Sequence, residues 1–298
     1  QNRRMAVLGA GRVGRAIASH TGFAGEGFPV VALFDRDPER LAQSTAAVPV
    51  YLEKELEERL PAMDVRIGVL ALPAEEAQEM LDVSRETGKL LQIGFVRRYG
   101  EDAAMIKKFI DGGTLGDLYY AKATYLRRSG CPGGWFGDKS RSGGGPLIDL
   151  GVHVIDLVRY LMGCPKPVSV MATAIYKIGD YRDEPKVDPV TGEVSATNDW
   201  SGAQVDDYKF DVEDSASGVF RFENGAQLIF ETSWSFNGPI NNSTQIAGDK
   251  AGITLEPFKL YKGDGKNVIE QDIVGDFGGD VFENEIAHFI DCIKNDKT

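Results

Sequence analysis

Two residues in this chain have the types and the spacing for proton transfer. Asp149 and His153 stand four apart within Gly143-Gly-Gly-Pro-Leu-Ile-Asp-Leu-Gly-Val-His-Val-Ile-Asp-Leu157. The glycines followed by Pro146 predict a sharp entry into a helix, because proline fits the first helical position, where its missing N–H would be unpaired anyway. That helix is expected to end near Gly163. Residues four apart share one helical face, so the carboxylate could hold the imidazole in one tautomer and raise its basicity. The competing reading is a solvated Asp–His pair on an ordinary amphipathic helix. Two features favour the chemical reading: the glycine run would give a ligand close access to the helix start, and little else in the chain resembles a base.

Such a pair needs a scaffold and a co-reactant, and the amino-terminal third offers both. Met5-Ala-Val-Leu8 is a short apolar strand running into Gly9-Ala-Gly-Arg-Val-Gly14, and an amphipathic helix follows to His20. In that pattern Gly9 permits the tight turn, Gly11 lets backbone N–H groups approach a pyrophosphate, and Gly14 lets helix and strand pack closely. Gly9, Gly11, Arg12, Val13 and Gly14 are therefore cofactor-binding candidates. The motif alone is weak, but Val30-Val-Ala-Leu-Phe34 supplies a second buried strand and delivers Asp35, 21 residues after Gly14. An acidic residue there can bond both ribose hydroxyls and repel a 2′-phosphate, which favours NAD over NADP. Arg36 beside it could still pair with a phosphate. Arg66–Leu72 reads as the next strand, whose carboxyl end would place Leu72 and Pro73 at the cofactor. A helical pattern from Ala74 to Thr87, a strand at Leu90–Val96 and a helix at Glu101–Asp111 continue the alternation. Strands alternating with helices imply a doubly wound parallel sheet.

From about Leu118 the periodicity changes. Tyr119–Leu126 and Val168–Tyr176 alternate as half-buried strands. Asn224-Gly225 between two apolar runs marks a tight hairpin, and Gly248–Gly252 marks another. The reading is an α/β chain: a Rossmann domain over 1–118 and an α+β domain over 119–298 with a mostly antiparallel open sheet. Residues 179–207 form a long polar loop, read as a surface insertion ahead of a lid or oligomer arm. Trp135, in Gly133-Gly-Trp-Phe-Gly137, could cover a polar substrate or simply plug its loop onto the sheet. Arg97 and Arg98 leave a strand toward the ligand crevice, and Arg98 is the substrate-binding candidate. His20 and His288 read as structural.

Composition narrows the partners. The 298 residues are 42% hydrophobic and 26% charged, as in an ordinary globular protein. A net charge of −12 with no basic stripe argues against nucleic acid. No apolar run approaches a membrane span and no signal-peptide core opens the chain, so a cytoplasmic location is the expectation. The three cysteines, Cys131, Cys164 and Cys292, show no metal-type pairing and read as packing residues.

Gln92-Ile-Gly-Phe-Val-Arg-Arg-Tyr99, Asp111–Gly116, the Gly143–Asp156 stretch and Phe282–Asp291 resemble the Gfo/Idh/MocA oxidoreductases over about two thirds of the chain. Residues 3 to about 80 are more similar to the nucleotide domain of the Rex redox-sensing repressors, through Gly22-Phe23, Gly27–Pro38 and Leu72–Gln78. Their winged-helix DNA-binding part is absent. The change of resemblance inside one helix, near Glu79–Ser84, points to an engineered or recombined chimera. The oxidoreductase resemblance implies NAD, hydride transfer with a secondary alcohol of a sugar or cyclitol, His153 as proton acceptor, Asp149 as orienter of His153 or substrate, and a homo-oligomer paired through the open sheet. It also implies a strand ending in Glu-Lys-Pro whose lysine sits beside the nicotinamide. That tripeptide is missing here: Lys89 is the only lysine between Lys54 and Lys107. A missing acid/base partner commonly costs about 10²–10⁴-fold in rate. Relatives also continue beyond the last helix, so a shortened chain is expected. The leading expectation is an NAD(H)-dependent sugar or polyol dehydrogenase. Its rivals are a non-catalytic NAD(H)-binding chimera and an NADH-responsive redox module.

Overall fold

The computed structural model describes residues 4–10, 12–19, 24, 27–43, 48–70, 77–132, 134–179, 186–187, 194–195, 209–295 and 297. The chain divides into two compact units, Gln1–Lys89 and Leu90–Thr298.

In the first unit β1 (Arg4–Leu8), α1 (Arg12–Ser19), β2 (Val30–Asp35), β3 (Val50–Leu52), α2 (Leu56–Ala62), β4 (Val65–Leu70) and α3 (Ala77–Thr87) follow in order. The strands form one parallel sheet in the order β3-β2-β1-β4. Met5, Ala6 and Val7 of β1 and Ala32, Leu33 and Phe34 of β2 are buried. Continuous apolar runs of this kind are what a parallel sheet covered on both faces requires. The expected strand Leu90–Val96 does not form. Phe95 N–H donates instead to Ile93 O at 2.9 Å, and a 3-10 turn follows at Val96–Tyr99. A local turn of this kind uses a donor that a ladder would need.

The second unit runs through α4 (Glu101–Asp111), β5 (Leu118–Leu126), α5 (Val152–Leu161), β6 (Pro167–Ile175), β7 (Lys186–Val187), β8 (Val194–Ser195), β9 (Ser215–Phe222), β10 (Gln227–Ser233), β11 (Asn241–Gly248), β12 (Ala251–Leu255), β13 (Lys259–Asp264), β14 (Asn267–Asp272) and α6 (Val281–Asn295). Eight strands make an open sheet in the order β14-β13-β12-β11-β5-β10-β9-β6. All neighbours are antiparallel except β5 and β10. Both expected hairpins are present, with Gly225 at a φ of 85° in the first turn. The small residues Ala121 and Ala123 on central β5 let Leu157, Val158 and Leu161 of α5 and Ile106 of α4 press onto the sheet, and this cluster is the main core. Burying each such side chain contributes about 1.5–3 kcal/mol.

Two further expectations need correcting. β6 is exposed along nearly its whole length rather than half-buried, because it is the last strand of the sheet. Cys164 is exposed at a φ of 58° just past α5, so only Cys131 and Cys292 are packing residues. Within 179–207 a two-residue ladder joins β7 and β8. His20 lies outside the described residues. His288 packs against Tyr99 with the rings tilted and 5.2 Å apart.

Candidate functional site

The first unit ends β1 in a loop shaped by glycine. Gly9 adopts a φ of 99°, open to glycine and strained for other residues, and its N–H donates to Phe34 O at 2.7 Å. A Cβ on Gly14 would stand 1.8 Å from Gly9 O and 3.1 Å from the Val7 side chain. The first turn of α1 can therefore meet the end of β1 only with a glycine there. Asp35 closes β2 beside this loop. Its Oδ2 accepts from Ala10 N–H at 2.7 Å and its Oδ1 from Asp37 N–H at 2.9 Å. Each oxygen keeps a second lone pair, so a carboxylate fixed in this way can still accept ribose hydroxyls. The loop thus fits a dinucleotide's phosphates and ribose. Arg36 is exposed next to it. Gly11, Leu72, Pro73 and the side chains of Arg12 and Val13 fall outside the described residues.

The second unit carries a cleft of about 550 Å³. Asp149 and His153 line one wall, Thr124 of β5, Asn242, Ser243 and Thr244 of β11 and Glu256 just past β12 line another, and Arg97, Arg127, Phe136 and Phe282 reach in around them. Glu256 holds a φ of 65°, unusual for a residue with a side chain, at the edge of this cleft.

Pro146 sits at the helix entry as expected, but the first turn, Leu147–Gly151, is a wide π turn before regular α5 begins. Such insertions often occur at functional sites. The extra residue rotates Asp149 relative to His153, and the two do not hydrogen-bond. Asp149 Oδ2 accepts from Trp234 Nε1 at 2.7 Å and lies 3.3 Å from Arg127 Nη2. Burial pushes the Asp149 carboxyl above its usual range, and Trp234, Arg127 and His153 each pull it back. Burial holds His153 below the ordinary imidazole value. Asp149 and Asp156 oppose that shift and Arg97 adds to it. Its Nδ1 is buried with no hydrogen-bond partner, as is Arg127 Nε, and Phe95 meets the imidazole edge-on at 6.2 Å. The result is a neutral imidazole able to take a proton.

The glycine run serves a different purpose from the one read in the sequence. A Cβ on Gly145 would lie 2.1 Å from Glu213 O, and one on Gly144 would lie 2.9 Å from Ile148 and 3.6 Å from Glu213 Oε2. Both glycines are buried, and buried Glu213 accepts from Leu147 N–H at 3.2 Å. They admit this neighbouring chain, which caps the helix start, rather than a ligand. Arg98 is committed elsewhere: its guanidinium makes a two-pronged pair with Asp156 and lies over Tyr160, outside the cleft. Arg97, one residue earlier, lines it together with Arg127. The side chain of Trp135 falls outside the described residues, whereas its neighbour Phe136 faces the cleft. Sequence reading missed Arg127, Glu213 and Trp234, which the sheet brings to Asp149 and Leu147 across separations of 22, 66 and 85 positions. The only local hint was that each stands at the edge of a strand.

A glycine-turned parallel sheet in one unit and an open, mostly antiparallel sheet in the other define a two-part α/β protein. Residues 103–254 match the GFO/IDH/MocA C-terminal domain, and the chain belongs to that family. Residues 1–89 match a CoA binding domain. The chain is 36% identical over 194 residues to D-glucoside 3-dehydrogenase of Escherichia coli (strain K12), covering 64% of this chain and 51% of that protein. It thus spans about half the length of this curated relative. The redox-sensing transcriptional repressor Rex of Caldicellulosiruptor saccharolyticus is 36% identical over 88 residues, 30% of this chain and 40% of the repressor. A levoglucosan dehydrogenase solved in complex with NADH and L-sorbose shares the fold at a TM-score of 0.73 and 20% identity, over 100% of this chain and 91% of that one.

Proposed function

We propose that the protein is an NAD(H)-dependent oxidoreductase acting on a secondary alcohol of a sugar or cyclitol. The observation that carries this reading is His153, a half-buried neutral imidazole whose buried Nδ1 has no partner, in a cleft lined by hydroxyl and amide side chains. The sugar and polyol dehydrogenases among its relatives, and the NADH bound by levoglucosan dehydrogenase, support the substrate class and the cofactor.

Gly9, Gly14 and Asp35 would hold the dinucleotide, with Gly11, Arg12, Val13, Leu72 and Pro73 as further contacts. Bound NAD would accept the hydride from the carbinol carbon. His153 would take the hydroxyl proton. Asp149, turned away from His153 by the π turn, would orient the substrate rather than the imidazole. The odd number of scattered cysteines suits a reducing, cytoplasmic setting. The exposed Val168, Val170 and Met171 of edge strand β6 support pairing of this sheet in a homo-oligomer.

The test has two stages. NADH is titrated by fluorescence, then NAD and a panel of sugars and inositols are added and reduction is followed by absorbance. NADH binding without turnover of any polyol would reject the dehydrogenase. That outcome would leave the second reading, a non-catalytic NAD(H)-binding chimera. Its support is the divergent matching of residues 1–89 and 103–254 and the absence of the Glu-Lys-Pro lysine.

A further inference from the structure

Asp149 carries the only carboxylate among the described residues of the cleft's helical wall, and a group from behind that wall sets its position. Trp234 follows β10 and is fully buried against Cys131, Leu150 and Val212, with none of its surface in the cleft. The backbone pins it at both ends: its N–H donates to Asp214 O at 3.2 Å, and its carbonyl accepts from Gly130 N–H at 3.0 Å. Its indole N–H ends on Asp149 Oδ2 at 2.7 Å. Arg127 reaches the same oxygen from the end of β5, at a longer 3.3 Å.

We propose that Trp234 is a positioning residue for the reaction: its indole N–H fixes Asp149 through Oδ2 and leaves Oδ1 as the oxygen that accepts a substrate hydroxyl. The inference rests on the function proposed above. Two donors on one oxygen decide which oxygen remains, and the shorter bond comes from the more rigid side chain. A flexible arginine alone would let the carboxylate turn. The charged and titratable groups around Asp149 are Arg127 just past β5 and His153 four residues on, while Glu213 holds the Leu147 N–H two residues before it. Burial opposes the ionised form of Asp149, and the indole hydrogen bond is the largest influence restoring it. Trp234 therefore acts on the charge of Asp149 as well as its orientation.

Trp234→Phe keeps an aromatic ring and removes the donor. With carbon-13-labelled aspartate, the Asp149 carboxyl is assigned by its loss in Asp149→Asn, and its titration midpoint is read by NMR. The midpoint is expected to rise by about one to two pH units in Trp234→Phe, the size of a hydrogen bond to a charged group. The kcat/KM for an oxidised polyol should fall, NADH affinity should hold, and Trp234→Phe should have no further effect in the Asp149→Asn background. In the unsubstituted protein one indole N–H resonance should titrate with the Asp149 midpoint and lose that dependence in Asp149→Asn, a readout that survives even if Trp234→Phe does not fold. An unmoved midpoint, or an indole blind to Asp149, overturns the coupling. A moved midpoint with an unchanged kcat/KM overturns the positioning role. If the unsubstituted protein turns over no polyol, the proposed function fails and the catalytic part of this inference goes with it, whereas the titrations still decide the coupling.

Discussion

Glu285 offers a stability test that does not depend on activity. It lies on α6 with 8% of its surface exposed, and its Oε1 is buried without a hydrogen-bond partner. Burial pushes its carboxyl up to about 7, against smaller opposing pulls from the Arg98 guanidinium and the Gln92 amide. Below about pH 4.5 both folded and unfolded chains hold the proton, and the site is neutral to stability. Between that pH and about 7 the unfolded chain releases the proton while the folded chain keeps it, so stability falls as pH rises. Above that range the folded chain carries a buried, half-satisfied charge and the loss is complete. At about 1.4 kcal/mol per pH unit, and with allowance for partial solvent screening, the penalty is on the order of 1–3 kcal/mol. Glu285→Gln keeps the shape and removes the charge. Urea unfolding at pH 5 should find the two proteins nearly equal, and at pH 8 the glutamine variant should be the more stable by that amount. A variant gaining nothing at pH 8, or gaining equally at both values, would show that Glu285 is not held protonated by burial.

Four other perturbations probe the two units. Gly14→Ala forces a Cβ to within 1.8 Å of Gly9 O, so NADH affinity measured by fluorescence should fall roughly tenfold or more, and unchanged affinity would remove the loop from the cofactor site. Asp35→Ser should narrow the preference for NADH over NADPH in parallel titrations, because it deletes the charge facing a 2′-phosphate; an unaltered ratio contradicts its assignment to the ribose. His153→Asn should lower kcat by about 10²–10⁴-fold while NADH binding holds, and a fully active variant rules out the imidazole as base. Glu213→Ala leaves Leu147 N–H and a buried gap at the helix entry; thermal unfolding should show a loss of about 1–3 kcal/mol, and an unaffected protein would mean that the cap is dispensable.

Local rules made much of the fold legible. The apolar runs of β1 and β2, the spacing of Gly9 and Gly14, Asp35 at a strand end, and Asn224-Gly225 in its hairpin all depend on neighbours a few positions away. The Leu90–Val96 segment has an equally good strand pattern and forms no ladder, because Phe95 N–H turns back onto Ile93 O and the chain enters a 3-10 turn. The exposure of β6 follows in the same way from its place at the end of the sheet order. At the site, His153 was visible from its helix and its neighbours, but the partner of Asp149 was not. A helical wheel puts Asp149 beside His153; one extra residue in the first turn puts it against Trp234 and Arg127 instead.

Sequence alone picked out the candidate residues and the short elements that hold them, because turn geometry, strand patterning and glycine's small size act over a few bonds. Only the tertiary structure decided what those residues touch. Glu213 fills the space that Gly144 and Gly145 leave, Arg98 is spent on Asp156 while Arg97 lines the cleft, and a buried indole reaches Asp149 from 85 positions away. Those contacts come from the order in which strands join a sheet, and distance along the chain carries no record of that order.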